Sequence, residues 1–160
     1  MTRCPAAYGD GADQRDEADA QLLAHKDLSL ATALTIATTA ADTCKGQGYR
    51  VSVSVVGRTG EPLVQLRGDD ASPHTLEFSR RKAYTARTFQ RTSAEWAKLT
   101  ETTNTGQRML ADVIPLGGGV PIKIGDETIG GVGLSGAPMG QAQEEACAKA
   151  GIAKVADQLR

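Results

Sequence analysis

The sequence predicts a mixed α/β fold of the α+β type, an antiparallel sheet of about five strands flanked by helices. Three observations predict it. Apolar and polar residues alternate in two stretches, near residues 51–66 and 119–135, each broken by turn formers, which is the pattern of β-hairpins. Segments before, between and after them carry apolar residues at helical spacing. Strands joined by such short turns pair antiparallel, because parallel pairing needs a long crossover. With 160 residues, 40% of them hydrophobic, there is length for one core and one domain.

Residues 1–27 are rich in Asp, Ala, Gln and Gly and show no periodic apolar face, so they are expected to form a flexible N-terminal arm carrying Cys4, Tyr8 and His25. The folded domain then runs over 28–160. Leu30, Ala33, Leu34, Ala37, Ala41 and Cys44 share a helical face over about Ser29 to Lys45, with Ser29 or Asp27 as cap and Gly46 or Gly48 as terminator. Val51, Val53 and Val55 alternate with serines and turn at Gly57–Gly60 into Leu63–Leu66, where Pro62 marks an edge or a strand entry. Ser72 and Pro73 have the residue types of a helix cap and first turn, opening a helix to about Gln90 with Arg80, Arg81 and Arg87 pointing away. A short helix over Ser93–Glu101 holds the one tryptophan, Trp96, expected in the core or an interface. Asp112–Leu116 is expected to be a strand. A final helix places Ala148, Ile152, Val155, Ala156 and Leu159 on one side.

The most unusual stretch is the second hairpin. Nine of the 18 glycines fall between Gly117 and Gly140. Glycine at so many strand positions implies positive φ or the close approach of another group. Gly131, Gly133 and Gly136 spell GxGxxG, but a dinucleotide site also needs a following parallel strand and an acidic residue about 20 positions on. The chain offers neither. What remains is local: free N–H groups near Ser135–Gly140 at a helix start suit a carboxylate or phosphate. Alternatively, these glycines let the strand pack against the first or last helix.

Composition excludes several functions. A net charge of −1 with both signs interspersed gives no field to recruit nucleic acid, and 4% aromatics offer no stacking platform. No apolar run is long enough to insert in a membrane. Cys4, Cys44 and Cys147 form neither CxxC nor zinc spacing with His25 and His74, and CxxCH is absent, so any haem would be held non-covalently. Buried free thiols or a disulfide are both open to Cys44 and Cys147. No nucleophile, base and orienter can be assembled, which favours binding over catalysis.

Three blocks carry a family resemblance. They are "RVSVSVVGRTGEPLVQLR" from Arg50, "PHTLEFSRRKAYTARTF" from Pro73, and "GGGVPIKIGDETIGGVGLSGAP" from Gly117 followed by "EEACAKAGI". Together they resemble the GlcG/HbpS-like family, the haem-binding or haem-degrading domain family, over about residues 28–160. One departure is Gly57, where the family usually has Asp in the turn. The resemblance implies a profilin-like three-layer sandwich, a homo-oligomer from dimer up to octamer, and an extracytoplasmic setting, periplasmic or secreted, with the leader absent from this chain; the alternative is cytoplasmic. It also implies non-covalent haem binding, in storage, transport or redox sensing, and leaves open a sensor protein partner.

Several residues are candidates for that site. His74 at a helix start has the imidazole that most often ligates haem iron. Thr85 offers a hydroxyl to iron or a hydrogen bond, and Lys82, one turn away, a partner for a propionate. A solvated lysine and a threonine bonded to its own helix are the plainer readings. Arg67 is a second propionate candidate, Thr92 borders the same region, and Gly118, Gly119 and Gly136 supply backbone. The same lysine and glycines would suit a small carboxylate such as a hydroxy acid. A surface used only for a protein partner is the third reading.

Overall fold

The computed structural model describes residues 22–138 and 140–160. Cys4, Tyr8 and most of the expected arm lie outside them. His25 is exposed, and Leu28 is the first buried side chain among the described residues.

Helix α1 (Leu30–Gly46) begins at Ser29, whose Oγ accepts from the Thr32 N–H at 3.1 Å. It ends where Gly48 turns with φ +82° and the Tyr49 N–H closes on the Cys44 carbonyl at 3.0 Å. Strands β1 (Ser52–Val56) and β2 (Pro62–Arg67) form the first hairpin. At its turn Asp27 Oδ1 accepts from the Arg58 N–H at 3.0 Å, and a Cβ on Gly57 would stand 3.3 Å from that oxygen. A carboxylate from just before α1 thus lies against the turn residue where the family usually has its own Asp. Arg58 also hydrogen-bonds Glu127, which holds that carboxyl below the usual range.

Helix α2 (His74–Phe89) does not use the Ser72 hydroxyl as its cap. Pro73 is already in helical conformation, and it is the Ser72 carbonyl that accepts, from the Thr75 N–H and Oγ1 at 3.1 and 2.7 Å. Helix α3 (Ser93–Leu99) starts with a capping box in which Thr92 and Glu95 bond each other's backbone N–H. Strands β3 (Gly119–Ile124) and β4 (Glu127–Ser135) form the glycine-rich hairpin, and α4 (Gln141–Lys154) closes the domain.

The sheet has four strands in the order β2-β1-β4-β3, all antiparallel, with β2 at an edge as Pro62 suggested. The expected strand over 112–116 is absent. Asp112 takes a left-handed φ of 66°, the Val113 carbonyl accepts from Arg81 Nη2, and the Ile114 N–H donates to Thr85 Oγ1 at 3.0 Å. Side chains of α2 therefore satisfy this backbone in place of a ladder. Arg81 and Arg87 do not point away into solvent; each bonds a loop carbonyl, Val113 and Arg58 respectively.

The alternation of the strands sorts the sheet into two unlike faces. Val53, Val55, Ile122, Val132 and Leu134 pack with Ala33, Ile36, Ala37 and Ala40 of α1 and Ala148 of α4 to make the apolar core. Between those helices Cys44 and Cys147, both fully buried, form a disulfide with Cα atoms 5.7 Å apart. The opposite face carries serine and glycine and seats α2. Ser52 Oγ meets Thr75 Oγ1 and Ser54 Oγ meets Ser79 Oγ, both at 2.8 Å and buried. The hydroxyls pair with each other, so none of these four is left without a partner.

The glycines of β3 and β4 explain how close α2 comes. A Cβ on Gly133 would lie 2.2 Å from the Ser79 carbonyl oxygen, and one on Gly119 2.2 Å from that of Lys82. The helix they admit is α2, not the first or last helix. Gly133→Ala is expected to force α2 away and to lower stability by about 1–3 kcal/mol, the usual cost of overpacking, read as an earlier urea midpoint with unchanged slope.

Candidate functional site

Lys82 and Glu144 meet inside the domain, 62 residues apart in sequence, with Nζ and Oε2 separated by 2.6 Å. Each residue is 3% exposed. Lys82 Nζ also donates to the Leu134 carbonyl at 3.0 Å, while Glu144 Oε1 accepts from the N–H groups of Gly136 and Ala137 at 2.8 and 3.2 Å. The N–H groups expected to hold a ligand's carboxylate therefore hold the chain's own. Gly118 adopts φ +109° beside them, and a Cβ there would stand 2.4 Å from Glu144 Oε2. No side chain other than hydrogen fits that position.

A large groove opens elsewhere, where α2 ends and α3 begins. It has a volume of about 1060 Å³ and is broadly open to solvent. Gln90 takes a left-handed φ of 57°, which stops α2 and turns the chain into α3. Phe89 stacks on buried Trp96 with ring centroids 4.7 Å apart, and the Trp96 indole N–H is held by Gln107 Oε1 at 3.1 Å. This fixes a half-buried aromatic wall. Leu99, 38% exposed, continues it, and Arg91 and Lys98 supply two exposed cations on the rim. Among the described residues neither cation has a carboxylate within 4.0 Å. Thr88, Thr102 and Thr103 add hydroxyls. The groove also carries the Glu95 carboxylate, which accepts from the Thr92 N–H and Oγ1, so it offers apolar area with two cations and one anion, a net positive rim suited to a flat apolar molecule bearing anionic groups.

The family model described as haem degrading protein HbpS-like matches residues 28–153. The chain belongs to the HbpS-like family. HbpS of Streptomyces reticuli, crystallised as a double mutant, is 30% identical with a TM-score of 0.81, over 97% of this chain and 99% of that one. A further HbpS crystal structure is 32% identical with a TM-score of 0.81, over 94% and 99%. PduOC, crystallised as a heme complex, is 25% identical with a TM-score of 0.70, over 79% and 93%. No curated protein matches the chain.

Within this HbpS-like fold the candidate residues are spread out rather than gathered. His74 is exposed at the first turn of α2, edge-on to Phe78 at 5.0 Å between centroids. Fifteen residues of helix separate it from Phe89, roughly 22 Å of rise. Thr85 is fully buried; its hydroxyl donates to the Arg81 carbonyl at 2.8 Å and accepts from the Ile114 N–H. Arg67 lies at the far edge of the sheet and donates to the Ala71 carbonyl at 2.5 Å. Lys82, Gly118, Gly119 and Gly136 cluster around Glu144, with the Gly119 N–H donating to Ser93 Oγ at 2.8 Å. Thr92, as the cap of α3, alone adjoins the groove, next to Arg91.

Reasoning on sequence missed Glu144, Phe89, Arg91, Lys98 and Leu99. One signal for Glu144 was available: an acidic residue in the first turn of a helix that follows a glycine turn is placed to accept free N–H groups. Nothing comparable marks the groove, which forms where Gln90 turns the chain from α2 into α3.

Proposed function

We propose that this protein binds haem non-covalently, in the groove between α2 and α3, as a homo-oligomer working outside the cytoplasm in haem storage, transport or sensing. The observation that carries the reading is the pairing of the Phe89 and Leu99 wall with the unpaired cations Arg91 and Lys98. A porphyrin needs apolar area for its ring and cations for its two propionates, and charge-assisted hydrogen bonds to such anions are the stronger kind. Membership of the HbpS-like family and the heme complex of PduOC support it. Haem, when bound, supplies an iron capable of electron transfer and of binding small ligands. Arg91 and Lys98 would hold it by the propionates, and the groove lining presents threonine hydroxyls, the Gln90 amide and the Glu95 carboxylate, not imidazole, thiolate or thioether. The buried disulfide supports an oxidising compartment, where such bonds persist.

Titration of the protein with haemin, followed in the Soret region, is expected to give a saturable shift. Arg91→Ala and Lys98→Ala are each expected to weaken it about tenfold, the loss of one charge-assisted bond, and His74→Ala to leave it unchanged. A flat titration, or an affinity indifferent to the Arg91→Ala/Lys98→Ala pair, would overturn the proposal. The small-carboxylate reading has no comparable support, since Glu144 occupies the N–H groups it requires.

A further inference from the structure

A second cavity, of about 460 Å³, lies at the opposite end of the sheet from Phe89, between the end of α1 and the turn that follows β2. Its lining carries three basic residues, Lys45, Arg50 and Arg67, and three acidic ones, Asp42, Asp69 and Asp70. Among the described residues none of these six pairs with an opposite charge within 4.0 Å. Ala41, Val51 and Leu66 give it apolar surface.

Both walls are held before any ligand arrives. On one side the Gln47 and Tyr49 N–H groups return to the Cys44 carbonyl at 3.1 and 3.0 Å, and Cys44 is itself tied to Cys147. Tyr49 OH accepts from Gln143 Nε2 at 2.6 Å, anchoring the aromatic ring to α4. On the other side the Gly68 N–H donates to the Val51 carbonyl at 3.0 Å and the Ala71 N–H to the Gly68 carbonyl at 3.1 Å, while Arg67 reaches the Ala71 carbonyl. Backbone fixed on both sides lowers the entropic cost of binding.

From this juxtaposition we propose that the cavity between α1 and the β2 turn binds a small zwitterion with an apolar body, of the chemical class of a free aliphatic α-amino acid. Arg50, Arg67 and Lys45 provide for the carboxylate, Asp42, Asp69 and Asp70 for the ammonium, and the apolar surface for the side chain. The carbonyls at the α1 C-terminus also favour a positive group there. All six charged side chains are exposed, so water satisfies them in the free protein; a ligand with one charge would engage only half of this lining, whereas a zwitterion engages both signs. This site is separate from the groove and does not depend on haem.

The test uses leucine as probe against N-acetyl-leucine, which keeps only the anion, and leucine amide, which keeps only the cation. Amide chemical-shift changes in ¹H–¹⁵N spectra of the full chain are expected to saturate with leucine at millimolar concentrations and to centre on Tyr49, Arg50 and Asp69. Both capped analogues are expected to bind at least tenfold more weakly. Arg50→Gln and Asp42→Asn, whose side chains make no hydrogen bond among the described residues, are each expected to weaken leucine about tenfold and leave the thermal midpoint unchanged. No saturable shift with leucine, equal binding of a capped analogue, or indifference to both variants would overturn the proposal. Unchanged haemin titration in Arg50→Gln separates its fate from that of the haem groove.

Discussion

Lys82→Met and Glu144→Leu, made singly, are each expected to cost about 3–5 kcal/mol of folding stability, because each strands the other's charge away from water. The double variant is expected to cost less than the sum by about 1–3 kcal/mol, the coupling typical of contacting charged groups. It is not expected to reach wild-type stability. Glu144 also accepts from the Gly136 and Ala137 N–H groups, and leucine leaves both without that partner, losing two hydrogen bonds to a charged acceptor that water replaces only in part. Urea unfolding of the four proteins closes the cycle, with a constant slope as the check on two-state behaviour. Simple additivity within about 0.5 kcal/mol would mean that the two side chains do not depend on each other as their 2.6 Å contact implies.

Removing the disulfide is expected to be the second large effect. Cys44 and Cys147 are 103 residues apart, and loop-closure entropy alone gives about 4.7 kcal/mol for a cross-link of about 100 residues. Measured losses run lower, so Cys44→Ala/Cys147→Ala is expected to lose about 2–5 kcal/mol. A reductant separates this from packing. It should bring the wild-type unfolding midpoint down toward that of the variant and leave the variant where it was. A wild-type midpoint that ignores reductant after full reduction in the unfolded state would show that the cross-link adds nothing.

What could be read from the sequence was local. The α1 boundaries follow from Ser29 and Gly48, the second hairpin from the Gly125–Asp126 turn, and the core face from alternating valines, all decided within a few residues. The 112–116 segment misled because Val113 and Ile114 are buried as in a strand, yet Thr85 and Arg81, from a helix, take their backbone bonds. The family was legible because three blocks recur in order. The site was not. Lys82 and Glu144 sit on elements that only the folded sheet brings together, and the groove depends on Gln90 redirecting the chain. Of the two candidate iron ligands, His74 lies out on the surface and Thr85 in the core.

The two faces of the sheet obey different rules of change. Beneath α1 and α4, valine, isoleucine and leucine can trade places as the lineage drifts, since neighbouring side chains can absorb a methyl group with modest loss. Beneath α2 the ceiling is set by the main chain itself: oxygens of Ser79 and Lys82 stand where a first side-chain carbon would be. At Gly119, Gly131 and Gly133 the main chain of α2 leaves room for nothing larger than hydrogen, so the helix and these three positions can change only together.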